Sequence, residues 1–151
     1  MTTKPAAPPA WRNRIVGSGE EAPDQLIANP SNWRTHPAAQ RNALRGSLDT
    51  VGWVAQVLVN RRTGHVIDGH ARIEEAISRG ESAVPVLYVE LSAEEEALVL
   101  ATLDPIAAMA VPDQARLAEL LADITVDDAG LRRLLADLGG PKLGLTDPDA
   151  L

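Results

Sequence analysis

Asp68-Gly69-His70-Ala71-Arg72 is the one segment of this chain whose residue types and spacing could do chemistry. It falls where a predicted strand, His65 to Asp68, meets the first turn of a predicted helix, His70 to Arg79. The first amides of a helix have no intrahelical acceptor, and the helix dipole adds partial positive charge at that end. An anion such as phosphate is therefore favoured there. Gly69 is expected to let the anion approach the backbone, the amides of His70 and Ala71 to face it, and Arg72, one turn in, to fork onto its oxygens. Asp68 could instead cap those amides, or hold a metal ion or a histidine. A plain structural reading stands beside this one: glycine for the bend, aspartate for the cap, arginine in solvent.

Asn32-Trp33-Arg34-Thr35-His36-Pro37 gathers an amide, an indole, a guanidinium and an imidazole in one loop before a helix. Arg34 and His36 join the candidate binding residues on that ground. Equally, Trp33 could plug the edge of the core and His36 could cap the helix start. Arg61-Arg62 reads as a solvated hairpin tip, and His65 as a surface residue at the head of a strand. No His-Glu metal helix and no Ser/His/Asp set on a nucleophile turn is visible. Zero cysteines exclude a disulfide framework, a thiolate zinc site and a thiol nucleophile. A metal, whose identity the residues leave unknown, would be a hard ion on carboxylate and phosphate oxygens, as magnesium is.

These residues need a scaffold, and 151 residues with 45% hydrophobic and 23% charged content suffice for one domain. Asp24 to Ala28 is a short strand candidate, closed by Asn29-Pro30. A helix from about Pro37 buries Ala43, Leu44, Leu48 and Val51 and stops at Gly52. Gln56 to Asn60 and His65 to Asp68 form a hairpin. The following helix buries Ile73, Ala76 and Ile77 and stops at Gly80; Val84 to Leu91 is the most apolar strand. Ser92-Ala93-Glu94-Glu95 is a capping box opening a helix that Asp104-Pro105 ends. Two amphipathic helices, about 112–124 and 127–138, read as a helical hairpin whose leucines cover the domain's own sheet. The expectation is an α/β (α+β) fold with a small mixed sheet, followed by an acidic C-terminal helical hairpin. Residues 1–14 form a disordered lead-in, 15–105 the α/β domain, 106–138 the helical extension and 139–151 a disordered tail.

Charge separates the two halves. Residues 1–80 hold ten Lys/Arg against seven Asp/Glu, and residues 81–151 hold four against fourteen. An anion is met by the first half, and duplex DNA along the whole molecule is disfavoured. Four aromatic residues and no phenylalanine disfavour a base-stacking platform. With no apolar run of membrane-spanning length and prolines in the opening segment, a cytoplasmic protein without membrane contact is expected.

The order of loop NPSNWRTHP, helix AQRNALRGSLDTVGW, hairpin QVLVNRRTGHVIDG, helix HARIEEAISRG and strand VPVLYVEL resembles the ParB/sulfiredoxin-like domain, of phage or plasmid type, often called a ParB-like nuclease domain. The resemblance covers about residues 24–105. It implies that Gly69 and Arg72, as the family's Gly-x-x-Arg turn, contact nucleotide phosphates, and that Gln56 borders the same pocket. It also implies a nucleoside triphosphate with Mg2+ as the ligand to test. His70 stands where sulfiredoxin has its catalytic cysteine, so sulfinic acid reduction is excluded. Gly-His-Ala-Arg replaces the Gly-Glu-Arg-Arg of partition proteins, and Thr102-Leu103-Asp104-Pro105 replaces a second phosphate-contacting segment.

The leading expectation is binding of a nucleotide or nucleic-acid phosphate at the Gly69 to Arg72 turn. Were the site catalytic, it would hydrolyse a phosphodiester or nucleotide phosphate, as a nuclease or nucleoside triphosphatase. Arg72 would stabilise phosphoryl charge, His70 act as general acid or base, and Asp68 orient His70 or magnesium. The alternative is a non-catalytic DNA-associated adaptor whose acidic helices dock a DNA methyltransferase or other protein. A homodimer is compatible with either.

Overall fold

The computed structural model describes residues 2–139. The elements run β1 (Ile15–Glu21), a 3-10 turn (Pro23–Gln25), α1 (Ala38–Thr50), β2 (Val57–Asn60), β3 (Val66–Asp68), α2 (His70–Arg79), β4 (Val84–Val89), α3 (Ala93–Ala108), α4 (Gln114–Ala122) and α5 (Ala129–Gly139). The sheet is mixed, in the order β1-β4-β2-β3. β4 pairs antiparallel with β1 and parallel with β2, and β2 pairs antiparallel with β3.

Alternation along the central strands sends side chains to two faces. Val57, Val59, Val84 and Val86 meet Ile73 and Ala76 of α2 on one side, with Val66 in the same cluster. Ile67, Val89 and Leu91, with Leu58, meet Val99 of α3 on the other. α2 is thus pressed onto the sheet, which aims its N-terminus at the end of β3.

Several expectations change. β1 is a strand that the residues IVGSGEE do not announce, because two glycines weaken any periodicity; its pairing with Val84–Val89 supplies the order. Asp24 to Ala28 is a 3-10 turn plus a single bridge from Ile27 to His65, not a strand. Pro105 lies inside α3, which continues to Ala108. The bond it removes would have ended at Ala101, an exposed residue whose carbonyl can take water instead. Ile77 is half exposed while Glu75 is buried, held by Arg45 Nε at 2.8 Å and Arg41 Nε at 3.3 Å from α1. Val51 is exposed, and α1 buries Ala43 and Gly46 instead of a leucine row.

The capping box forms as read: Glu95 N donates to Ser92 Oγ, and Ser92 N donates to Glu95 Oε1. Arg14 forks onto the same carboxylate at 2.6 and 2.8 Å, so the chain is already fixed one residue before β1. The Arg14 guanidinium, with Ser92, holds the Glu95 carboxyl far below the usual carboxylate range.

The leucines of the last two helices do not cover the sheet. α5 packs on α1, and α4 packs on α5. Two glycines explain the choice of partner. A Cβ on Gly130 would stand 2.7 Å from Asn42 O, and one on Gly46 would run into the Asp128 carboxylate that caps α5 through Leu131 N. At Gly130 the neighbour is α1 backbone, which cannot yield, so the close approach needs a bare Cα there; at Gly46 the bare Cα leaves room for the Asp128 side chain. Gly130→Ala is therefore expected to lift α5 from α1 at a cost of about 1–3 kcal/mol, read as a lower melting temperature and faster proteolysis after residue 122. An unchanged melting curve would refute the close-approach argument. Residues 140–151, most of the expected tail, lie outside the described residues. No helix of the described residues is long and apolar enough to cross a membrane.

Candidate functional site

Gly69 adopts φ 108°, a left-handed conformation, and is the N-cap of α2. Its missing side chain serves the interior: a Cβ would stand 3.1 Å from Val57 Cγ2 and 3.2 Å from Arg72 NH2. The glycine thus provides the bend and the packing against Val57 and Arg72. No side chain caps the first-turn amides. Asp68, read as their potential cap, turns to Arg72 instead, with Oδ2 accepting from NH2 at 3.2 Å. Arg72 also donates to Gln56 O at 3.2 Å, and its Nε is buried with no partner. The guanidinium is therefore held over the helix start, with one donor still unsatisfied.

A cavity of about 990 Å3 opens above this turn. Asp68, Gly69, His70, Ala71 and Arg72 line its floor, and Arg34 and His36 its rim. Ala39, Ala43 and Leu44 of α1 and Leu131 and Leu134 of α5 form apolar walls, closed by Leu100, Leu103 and Asp104 of α3. Its volume is that of a site for a small organic ligand, with a few convergent polar groups on an apolar lining.

The loop residues take fixed places. Arg34 pairs with Asp104 at 2.9 Å and stacks on Trp33 at 4.4 Å. Trp33 does not plug the core: it is 54% exposed and donates from Nε1 to Leu100 O. His36 does not cap α1, whose N-cap is Pro37; its Nδ1 meets Gln40 Oε1 at 2.9 Å, and its Nε2 is buried without a partner. Of the expected site residues, Gln56 is the one whose side chain leaves the cavity. Its Nε2 donates to Val86 O, and only its carbonyl reaches the site, through Arg72.

His70 faces the loop. Its Nε2 accepts from Asn29 N at 3.1 Å, so that nitrogen carries no proton and is not free for acid-base work. Burial and the neighbouring His36 push its pKa below the ordinary 6.5, against the pull of Asp68 and Glu74. A histidine whose folded pKa is depressed lets the unfolded chain take up the proton first, so stability falls as pH drops below about 6.5. An NMR titration is expected to place the His70 midpoint below that of a free histidine, with the Asn29 amide shifting in step. A midpoint above 7 would contradict the contact.

A buried carboxylate that composition does not betray holds this loop. Glu96, 7% exposed, accepts from Asn60 Nδ2 at 2.9 Å, from Thr63 Oγ1, from His65 Nδ1 at 3.1 Å and from Asn29 Nδ2 at 3.4 Å. His65 is thus part of an interior network, not a surface residue. Asn60, fully buried, also pairs with both main-chain groups of Leu91. Nor did the sequence mark α5 as a wall of the cavity; a glycine inside each of two helical patterns was the available sign. Among the described residues, no three His, Asp or Glu side chains are grouped so as to hold a metal ion.

The architecture matches solved structures. The C-terminally truncated chromosome-partitioning protein ParB from Caulobacter crescentus, complexed with CTP-γ-S, superposes with a TM-score of 0.58 at 17% identity, over 89% of this chain and 87% of that one. The chain has the ParB N-domain fold. A pNOB8-like ParB N-domain agrees, with a TM-score of 0.52 at 15% identity over 94% of this chain; the match spans about half of that structure, 49%. No protein-family model and no curated protein sequence matches the chain. In this chain the turn at Gly69 joins β3 to α2, and α1, α3 and α5 supply the walls of the cavity above it.

Proposed function

We propose that this protein binds the phosphates of a nucleotide in the cavity above the α2 N-terminus. One observation carries the reading: the uncapped first turn of α2 and the partly unsatisfied Arg72 guanidinium lie together on the floor of a cavity large enough for a nucleoside triphosphate. The CTP-γ-S bound by the Caulobacter ParB supports the choice of a triphosphate as first ligand. The amides of His70, Ala71 and Arg72 receive phosphate oxygens, and the Arg72 guanidinium adds charge-assisted contacts. The apolar walls take the nucleoside. With Asp68 committed to Arg72 and no metal-binding cluster of acids among the described residues, magnesium would arrive on the phosphates, where it supplies charge neutralisation.

His70 positions Asn29 and the loop, so binding, rather than hydrolysis, is the function the geometry supports. Isothermal titration with CTP, ATP, GTP, UTP and inorganic triphosphate, each with and without magnesium, tests it. Saturable binding by at least one triphosphate is expected, and absence of heat and of thermal shift at millimolar concentration of every one would overturn the proposal.

The adaptor reading has one observation in its favour. Leu98, Ile106, Met109 and Val111 are all more than 60% exposed along α3 and just beyond it. Such a run suits a protein surface. Copurification of a partner lost on Ile106→Glu, with triphosphate binding unchanged, would support docking there.

A further inference from the structure

Resting on the phosphate-binding reading, we infer that Arg133 of α5 is a second phosphate-binding cation, so that ligand bridges the α2 N-terminus and the C-terminal helix. Two other guanidiniums line the cavity, and both are already neutralised: Arg34 by Asp104 and Arg72 by Asp68. Arg133 also lines it and makes no ion pair among the described residues. A polyphosphate carries several negative charges, and one compensated guanidinium on the floor leaves most of them unmet.

The end of α3 does not supply the missing cation, since Leu103 and Asp104 are what it presents to the cavity. α5 does. Gly130, one turn before Arg133, sits against Asn42 of α1, which fixes where that turn stands relative to the floor. Arg132, its neighbour in sequence, does not line the cavity. The same helix thus provides a matched control for charge.

The structure also gives the binding a mechanical consequence. α5 buries no residue fully, so its hold on the body is modest. A ligand gripped from both sides fastens it.

Titration of wild type, Arg133→Ala, Arg133→Lys, Arg132→Ala and Arg72→Ala with CTP-γ-S and with inorganic triphosphate tests the inference, alongside thermolysin cleavage within residues 123–139, which cuts at the Ile, Val and Leu residues there and not at the arginines being changed. Arg133→Ala is expected to weaken binding about tenfold, as loss of one charge-assisted contact does, with Arg133→Lys regaining part of it. Arg132→Ala is expected to stay within about twofold, as a distant surface charge does. Triphosphate should slow cleavage in wild type and not in Arg133→Ala. Binding by Arg133→Ala equal to that of wild type, while Arg72→Ala is weakened, overturns this inference and leaves the phosphate site standing. Equal weakening by Arg132→Ala also overturns it, as a general charge effect. No binding by wild type, or none lost in Arg72→Ala, removes the phosphate site and this inference with it.

Discussion

Arg72→Ala weakens triphosphate binding by between ten- and a hundredfold, measured by calorimetry, while the melting temperature falls little. Two effects add. The variant loses charge-assisted hydrogen bonds to phosphate, each about 1.5–3 kcal/mol in favourable geometry. It also releases Asp68, whose carboxylate now pairs with Arg72 NH2 at 3.2 Å. An unpaired carboxylate one residue before an uncapped helix start either repels the ligand or takes the amides for itself. Asp68→Asn in the Arg72→Ala background is therefore expected to recover part of the lost affinity. The stability cost stays small because the pair is partly exposed, and such pairs contribute about 0–1 kcal/mol. Recovery by the double variant is the outcome that a purely structural role for Arg72 does not produce.

Glu96→Ala has the largest expected effect on stability. It leaves Asn60 Nδ2, Thr63 Oγ1, His65 Nδ1 and Asn29 Nδ2 facing a space that is mostly closed to water. Breaking a buried charged network on one side costs about 3–5 kcal/mol, and thermal unfolding should shift down by roughly 10 °C or more. Glu75→Ala is milder although Glu75 is buried just as deeply, at 2% exposed. Its partners Arg41 and Arg45 are 41% and 44% exposed and can return to water. Acid acts on the same network. Burial pushes the Glu96 carboxyl up, but the donors Thr63, His65 and Asn60 outweigh it and hold it below the usual carboxylate range. A carboxylate with a depressed folded pKa stabilises fully above the unfolded value and loses that contribution as pH falls through the folded one. Glu96→Gln should therefore flatten the acid limb of the stability curve. An unaltered limb would remove Glu96 from the account.

How much of this was legible in the residues follows from what kind of signal each feature carries. α2, β4 and the capping box were readable because periodicity, glycine stops and the Ser92/Glu95 spacing are local properties. β1 was not, because a strand with glycines at 17 and 19 is created by its partner. Nothing in the residue order singles out Glu96; only the tertiary arrangement brings the hairpin tip and Asn29 onto it. The Asp68 to Arg72 turn was placed correctly, yet Gly69 turned out to serve Val57 and Arg72, and His70 to serve Asn29. Residue types located the turn, and packing decided what each side chain touches there. The last helix, expected to lay its leucines on the sheet, packs on α1 instead, with Gly130 against Asn42, and so becomes a wall of the same cavity.

A heteronuclear NMR titration of the isotope-labelled chain with CTP-γ-S reads the central claim most directly. Large shifts in the amides of Gly69 through Ile73 and in the Arg72 Nε–H, with β1 and the Gly80 stop unmoved, are the result expected of an anion seated on the α2 N-terminus. Shifts gathered at the Arg61-Arg62 hairpin tip instead, with residues 69–73 silent at saturation, would contradict it.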